Sequence, residues 1–177
     1  LRRVGAEREG GHRSRLRRIH RKFAVAGRHE ARWRQRCRRP IFTAAYNGVG
    51  AGFVIVSADD PDMHSSQNEQ DNRRYARFAK IPLIEPSDSQ ECKDFLKEAY
   101  AVSERFELPV LFRVPTRISH SKSLVTFGER EEHTPARYVR NIPKYNCAPA
   151  FARQHRPLLE EKLRGLEAYA NESPLNV

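Results

Sequence analysis

Cysteine is scarce in this sequence, and long apolar runs are missing. The three cysteines, Cys37, Cys92 and Cys147, lie far apart and form no CxxC pair. The spacing therefore supports neither a disulfide framework nor a zinc or iron–sulfur site. Reduced thiols and a cytoplasmic location are the expectation for such a chain. Because no run of about eighteen apolar residues occurs, we expect no transmembrane helix and no membrane partner.

Acidic residues are nearly absent from the first forty positions, although they are common afterwards. Residues 1–40 contain 15 of the 33 Lys and Arg and 3 of the 22 Asp and Glu, a net charge of +12. The other 137 residues contain 18 basic and 19 acidic groups, a net charge of −1. The overall charge of +11 therefore belongs to the amino-terminal segment. The rest of the chain has no basic footprint, so we expect no nucleic-acid partner.

The basic segment, residues 1–40, has no apolar periodicity, and its basic residues are 14 Arg and one Lys. Three interpretations are open. The segment is a disordered tail that contacts phosphates, an Arg-rich transit peptide, or the product of translating a GC-rich gene out of frame, which yields many CGN arginine codons. We expect a disordered or non-native arm that does not pack as part of a folded domain.

The rest of the chain alternates short apolar runs with amphipathic segments. Strands are predicted at Gly52–Ser57, Leu83–Glu85 and Pro109–Val114. Helices are predicted around them, in four segments: one ending within Ile41–Val49 at Asn47-Gly48, then Gln67–Lys80, a long helix from Ser87 to Phe106, and Pro157–Ala170. This alternation predicts an α/β fold in which a parallel sheet has helices on both faces.

Particular side chains support these helices. Ser87 is predicted to cap the long helix, with Gln90 as its capping-box partner. Apolar residues at helical spacing predict the buried faces of the two others: Tyr75, Phe78 and Ala79 in one, and Leu158, Leu159, Leu163 and Leu166 in the other. We expect one more extended piece at Leu124–Phe127 and a charged, proline-rich connector at Gly128–Ala150.

A strongly polar loop, Asp59–Asp71, follows the first predicted strand. Ligands of open α/β sheets lie beyond the carboxyl ends of the strands, and hydroxyl and amide groups can hydrogen-bond the carboxylate and keto oxygens of a 2-oxoacid. The candidate contacts are His64, Ser65, Ser66, Gln67 and Gln70, although a lone histidine is more often structural. The alternative is that the loop caps the next helix, with Ser65 or Ser66 as N-cap.

A second candidate segment, Thr116–Ser121, follows the Pro109–Val114 strand. Arg117 is suited to hold a substrate carboxylate in bidentate fashion. The alternative is that Arg113 and Arg117 pair with acidic groups at the edge of the sheet or on a partner subunit.

Four motifs, in this order, carry a resemblance to a known family: HSSQNEQDNR at His64–Arg73, YARFAK at Tyr75–Lys80, EPSDSQE at Glu85–Glu91 and TRISHS at Thr116–Ser121. From Ile41 onward the chain resembles the alpha subunit of indolepyruvate:ferredoxin oxidoreductase, a thiamine-diphosphate enzyme of the 2-oxoacid:ferredoxin oxidoreductase family. The resemblance implies a partial pyrimidine-side thiamine-diphosphate-binding domain at residues 41–128. Residues 129–177 would be a linker and an amphipathic helix leading to a further domain.

For an intact protein the resemblance implies oxidative decarboxylation of an aryl pyruvate, indolepyruvate, to an acyl-coenzyme A. It implies thiamine diphosphate with magnesium, 4Fe-4S clusters, a beta subunit, and ferredoxin as electron acceptor. The polar loop would close over the substrate and thiamine. A sister pyruvate or 2-oxoglutarate oxidoreductase, or a non-catalytic α/β interaction domain with a basic arm, are the alternatives.

Several family features are missing from the sequence. The glutamate that activates thiamine is expected before Ile41, inside the basic segment, and Glu85 is not expected to replace it. Neither the Gly-Asp-Gly…Asn signature for the diphosphate nor the cysteine-rich cluster sequences occur. We therefore expect a fragment that binds no cofactor by itself, with its catalytic residues unknown. Read one base out of register, the codons of Trp33-Arg34 give a glycine where the family has one, which favours the frameshift interpretation.

Overall fold

The computed structural model describes residues 23–25, 40–129 and 139–176. The regular elements of this part of the chain, in order, are β1 (Phe23–Val25), α1 (residues 40–47), β2 (Val54–Asp59), a 3₁₀ turn (Pro61–Met63), α2 (Arg73–Ala79), β3 (Leu83–Ile84), α3 (Ser89–Phe106), β4 (Val110–Pro115), α4 (Thr116–His120), α5 (Ile142–Tyr145) and α6 (Pro149–Glu172). The strands form a parallel sheet in the order β1-β2-β4-β3. The predicted α/β class and parallel sheet are confirmed.

Helices cover both faces of the sheet, as predicted. Successive side chains of a strand point to opposite faces. Val54, Val110 and Phe112 pack on one face with α3 and α6, whereas Ile55 and Leu111 pack on the other face with α1 and α2. Because both faces are covered, β2 and β4 are apolar until they approach their carboxyl ends. Polar groups are therefore concentrated at that end of the sheet.

Part of the basic segment belongs to the sheet. Phe23–Val25 pairs in parallel with β2, so the expectation of a disordered arm over all of residues 1–40 is wrong for these three positions. The reason is local, because Phe23–Ala26 is the longest apolar run of the segment and the edge of β2 would otherwise lack a partner. Residues 1–22 and 26–39 lie outside the described residues, and the interpretations of them stay predictions.

The predicted start of α2 is wrong. The helix begins at Arg73 rather than at Gln67, so neither Ser65 nor Ser66 is its N-cap. The backbone N–H groups of residues 64–66 and 72 are bonded to two carboxylates at the end of β2. These bonds hold the preceding residues in a loop instead of a first helical turn.

The cap of α3 also differs from the prediction. Asp88, not Ser87, is the N-cap, and its side chain accepts the N–H of Glu91 at 2.8 Å. The Glu91 carboxylate in turn accepts the N–H of Ser87 at 2.6 Å. Glu91, rather than Gln90, therefore bonds back across the start of the helix, to the residue before the cap and not to the cap itself as in a capping box.

The final helix, α6, is longer than predicted and contains Pro157 within it. Leu159 and Leu166 are buried against the sheet, but Leu158 is 54% exposed, because the buried stripe runs through Leu159, Leu163 and Leu166. Ion pairs also hold α6: Lys80 with Glu160, and Lys162 with Glu107, which Lys144 contacts as well.

Three further expectations concern exposed apolar residues or a turn. Phe78 was expected in the core but is 74% exposed, with its ring edge-on to Phe42. Residues 124–127 form no strand, and Leu124 and Phe127 are exposed.

Gly48 ends α1 as predicted; its φ of +73° is left-handed, which favours glycine. No helix of the described residues is long and apolar enough to cross a membrane.

Ser103 provides a test of how α3 is joined to the sheet. This fully buried residue accepts the N–H of Phe53 at 2.8 Å and donates to the carbonyl of Leu108 at 2.7 Å. Ser103→Ala leaves both backbone groups without this partner, so we expect the free energy of unfolding to fall by about 1–3 kcal/mol. Urea unfolding of the purified chain measures the loss. Ser87→Ala, at an exposed position, is the matched control, and an equal loss in both variants would contradict the assignment.

Candidate functional site

The polar loop lies at the carboxyl end of β2, and Asp60 holds its first half. The Asp60 carboxylate accepts the backbone N–H of His64 at 3.1 Å, of Ser65 at 2.6 Å and of Ser66 at 2.7 Å. The Ser65 hydroxyl lies 3.4 Å from the same carboxylate. Hydrogen bonds from backbone N–H groups to an ionised acceptor are among the stronger ones in proteins. The path of the loop is therefore set by one charged side chain.

The same hydrogen bonds hold Asp60 in its charged form. The N–H of Ser65 lowers the pKa of Asp60 most, burial opposes this, and hydrogen bonds from Thr116 and Ser66 lower it further. The net result is a pKa well below the usual range of a carboxyl group. Asp60 is therefore a hydrogen-bond acceptor at neutral pH and does not serve as a proton donor.

Asp59, the last residue of β2, holds the other end of the loop. Its Oδ2 atom accepts the backbone N–H of Asn72 at 2.9 Å and the Nε of Arg113 at 2.7 Å. The amide of Asn72 also donates to the Ser57 hydroxyl at 2.9 Å. Two consecutive carboxylates thus fix the loop of residues 61–72, Asp60 near its start and Asp59 at its end.

Arg113 connects this end of β2 with its neighbours. Its side chain is 1% exposed and is hydrogen-bonded to Glu85 as well as to Asp59. Glu85 also accepts two hydrogen bonds from Arg73, at 3.0 and 3.3 Å. The alternative that Arg113 pairs with acidic groups of the sheet is confirmed. Arg117 differs, because its side chain is exposed and forms no hydrogen bond or ion pair with the described residues.

Glu85 is held in its charged form by two arginines. Partial burial favours its neutral form, but the hydrogen bonds from Arg73 and Arg113 outweigh burial and lower the pKa of Glu85. A carboxylate held by two guanidinium groups has its oxygen atoms occupied and does not readily take up a proton.

The second candidate segment meets the polar loop through Thr116. The Thr116 hydroxyl lies 2.9 Å from the Asp60 carboxylate and 2.9 Å from the carbonyl oxygen of Asp59. The structure therefore brings the start of α4 and the first half of the loop to one place. Arg117 follows Thr116 directly, at the carboxyl end of β4.

The side chains predicted to contact substrate have different exposures. His64, Ser65, Gln67 and Arg117 are exposed, whereas Ser66 and Gln70 are half-buried. The Gln70 amide donates to the Asn68 side chain at 3.1 Å. Because Asp60 takes the N–H groups of residues 64–66, a ligand of this half of the loop would meet side chains rather than these backbone donors.

Sequence reasoning did not assign the residues that build the loop: Asp59, Asp60, Asn72 and Thr116. A signal was present, since two consecutive aspartates at the end of an apolar strand repel each other unless each has its own donors. The loop also contains Asp62 and Met63 with φ of 69° and 52°. This left-handed conformation costs roughly 1–2 kcal/mol per non-glycine residue, so the hydrogen bonds to Asp60 must offset it.

Comparison with known proteins gives close matches. The chain is 46% identical over 139 residues to indolepyruvate oxidoreductase subunit IorA of Archaeoglobus fulgidus, covering 77% of this chain and 22% of the relative. It is 47% identical over 137 residues to the subunit of the same name from Methanothermobacter marburgensis, with the same 77% and 22% coverage. The chain is a member of the indolepyruvate oxidoreductase alpha-subunit family.

The resemblance carried by the four motifs is confirmed. A third relative, subunit IorA of Pyrococcus horikoshii, is 41% identical over 142 residues, again covering 77% of this chain and 22% of the relative. The chain thus spans about 22% of the length of the curated relatives it matches. No protein-family model and no solved structure matches it significantly.

The importance of the buried ion pair between Arg113 and Asp59 can be tested by measuring stability. Arg113→Met removes a guanidinium and leaves the Asp59 carboxylate buried without its counter-charge. Breaking a buried pair in this way costs about 3–5 kcal/mol, and we expect a loss of that size in urea unfolding of the chain. Arg117→Met is the matched control, and its exposed position predicts a change within about 0.5 kcal/mol. Similar losses in both variants would show that Arg113 has no special structural role.

Proposed function

We propose that this chain is part of an indolepyruvate oxidoreductase subunit and that its polar loop contacts the 2-oxoacid substrate. The observation that supports this most is the placement of the loop beyond the carboxyl end of β2, a central strand of a parallel sheet. This is where open α/β sheets bind ligands. The relatives are named indolepyruvate oxidoreductase subunits, and we take the substrate, indolepyruvate, from this name.

The loop offers neutral hydrogen-bonding side chains, and α4 offers a charge. The hydroxyls of Ser65 and Ser66 and the amides of Gln67 and Gln70 are suited to the carboxylate and keto oxygens of a 2-oxoacid. His64 is a further donor or acceptor. Arg117 has a guanidinium with no other partner among the described residues, which suits bidentate binding of a carboxylate. The role of these residues would be to bind the substrate, orient it and exclude water.

For the whole enzyme we propose oxidative decarboxylation of indolepyruvate to an acyl-coenzyme A, with electrons passed to ferredoxin. The relatives are named as subunits, and we propose that the protein acts with a beta subunit in the cytoplasm. Thiamine diphosphate with magnesium and 4Fe-4S clusters would supply the cofactor chemistry.

We propose that the cofactor site itself lies outside the described residues. Among them, no group of three or more His, Cys, Asp or Glu side chains is placed to hold a metal ion. Glu85, a glutamate at a strand end, is held by Arg73 and Arg113. We therefore assign the metal–diphosphate site, the activating glutamate and the clusters to other parts of the enzyme.

This division of the site predicts how the chain behaves alone. We expect no saturable binding of thiamine diphosphate at micromolar concentration, because the described residues provide no metal–diphosphate site. Calorimetric titration of the chain with the cofactor and magnesium is the measurement. Complete subunit IorA of Archaeoglobus fulgidus, assembled with its partner, is the positive control. Tight binding by the chain alone would contradict the division proposed here.

The proposed function is tested with a chimera. Residues 41–177 of this chain replace the matching segment of the Archaeoglobus fulgidus subunit. Indolepyruvate- and coenzyme-A-dependent reduction of ferredoxin is then measured. We expect the chimera to be active and Ser66→Ala or Gln67→Ala to lower kcat/KM by about tenfold to a hundredfold, since a lost polar contact costs roughly 1–3 kcal/mol.

Two controls make this test specific. Ser87→Ala, at an exposed position outside the loop, should leave kcat/KM unchanged, and the melting temperatures of the loop variants should stay near that of the parent chimera. A folded chimera without activity would contradict the proposed function. An active chimera with unchanged kcat/KM in both loop variants would remove only the assignment of these two residues.

A further inference from the structure

We propose that Asp60 is a positioning residue for 2-oxoacid binding, because its one carboxylate sets both segments that carry the candidate substrate contacts. This inference rests on the proposed function. Asp60 accepts hydrogen bonds from the backbone of residues 64–66 and from the hydroxyl of Thr116. The hydrogen bonds from the backbone fix Ser65 and Ser66. The hydrogen bond from Thr116 fixes the first residue of α4, which Arg117 follows directly.

The two carboxylate oxygens divide these donors. Oδ2 accepts the N–H of Ser65 and of Ser66, at 2.6 and 2.7 Å. Oδ1 accepts the N–H of His64 at 3.1 Å and lies 2.9 Å from the Thr116 hydroxyl. An asparagine has one acceptor oxygen, so either orientation of its amide turns an NH₂ group toward donors. Asp60→Asn therefore removes the acceptor either for the N–H groups of Ser65 and Ser66 or for His64 and Thr116.

The backbone of the loop depends on these hydrogen bonds. Asp62 and Met63 are in the left-handed region and lie directly before the residues that Asp60 holds. A non-glycine residue keeps this conformation only where its surroundings enforce it. Without the carboxylate, residues 62–66 are expected to relax, and the Ser65 and Ser66 hydroxyls would move with them.

The sheet does not depend on Asp60 in the same way. The ion pair to Arg113 and the hydrogen bond to Asn72 are made by Asp59, and no apolar cluster of the described residues includes a loop side chain. Loss of the Asp60 carboxylate should therefore displace the loop and the start of α4 while β2 and β4 remain folded. This separates a positioning role from a general structural one.

The first measurement is hydrogen exchange of this chain. Asp60→Asn should speed exchange of the amides of residues 64–66 and leave Val54–Val56 and Val110–Phe112 protected. Asp62→Asn is the matched control: the change in charge is the same, and the exposed Asp62 side chain forms no hydrogen bond with the described residues. Unchanged exchange at residues 64–66 in Asp60→Asn would overturn the proposal.

The second measurement is steady-state kinetics of the chimera. Asp60→Asn should lower kcat/KM for indolepyruvate on the order of tenfold to a hundredfold, the scale of a misplaced contact of about 1 Å. The KM of this variant for coenzyme A should not change. If Asp60→Asn only reduced the folded fraction, kcat would fall and the KM values for indolepyruvate and for coenzyme A would both stay the same. Asp62→Asn should behave like the parent.

Thr116 supplies a pair of variants that keeps the test valid if Asp60→Asn does not fold. Thr116→Val removes the hydroxyl and keeps the shape of the side chain, while Thr116→Ser keeps the hydroxyl. We expect Thr116→Val to raise the KM for indolepyruvate and Thr116→Ser to restore it. If Asp60→Asn loosens the loop without altering kcat/KM, or if Thr116→Val has no effect, Asp60 is not a positioning residue. Ser66→Ala and Gln67→Ala would still test the proposed function separately.

Discussion

The carboxyl end of the sheet depends on the buried ion pair between Arg113 and Asp59. A buried charge is tolerated when its partner and its remaining hydrogen bonds are supplied together. Here Asp59 and Glu85 are both partners of Arg113. Oδ2 of Asp59 also accepts the N–H of Asn72, which precedes α2, whereas its buried Oδ1 has no partner among the described residues. The backbone ladder sets the register of β2 and β4, and the Asp59 carboxylate joins the end of this ladder to the residue that precedes α2. The apolar clusters determine only which faces the helices cover.

The consecutive residues Asp59 and Asp60 have separate tasks, because their carboxylates have separate donors. Asp59 faces the sheet and its arginine, whereas Asp60 faces the loop and Thr116. Alternation of side chains at the end of a strand places neighbours on opposite sides, so two like charges can be adjacent in sequence without sharing partners. The shape of the loop is thereby a consequence of charge and backbone hydrogen bonds rather than of apolar packing.

The strands were predictable from sequence, and the details of the loop were not. A sheet covered on both faces requires apolar runs in its strands, and Phe53–Val56 and Val110–Phe112 have this property. The start of α2 depends instead on Asp59, thirteen residues before Asn72, and no local pattern shows that bond. The predicted N-cap of α3 was wrong for another reason, since Ser87 and Asp88 are both good caps and the choice depends on the bonds that Asp88 and Glu91 form. The candidate loop was located by its polarity and by the family motifs, whereas Asp60 gains its role from donors that folding brings to it.

The attachment of α6 has a consequence for its response to salt. The side chains of its ion pairs with Lys80 and Glu107 are 28–45% exposed, and such pairs contribute about 0–1 kcal/mol each and are screened. Leu159 and Leu166, in contrast, are almost fully buried, and apolar burial is not weakened by ordinary salt. The leucines therefore supply most of the stabilisation of α6 on the sheet, and the ion pairs add a smaller contribution that depends on salt. Raising the ionic strength would weaken the ion pairs and leave the helix packed on the sheet by its leucines.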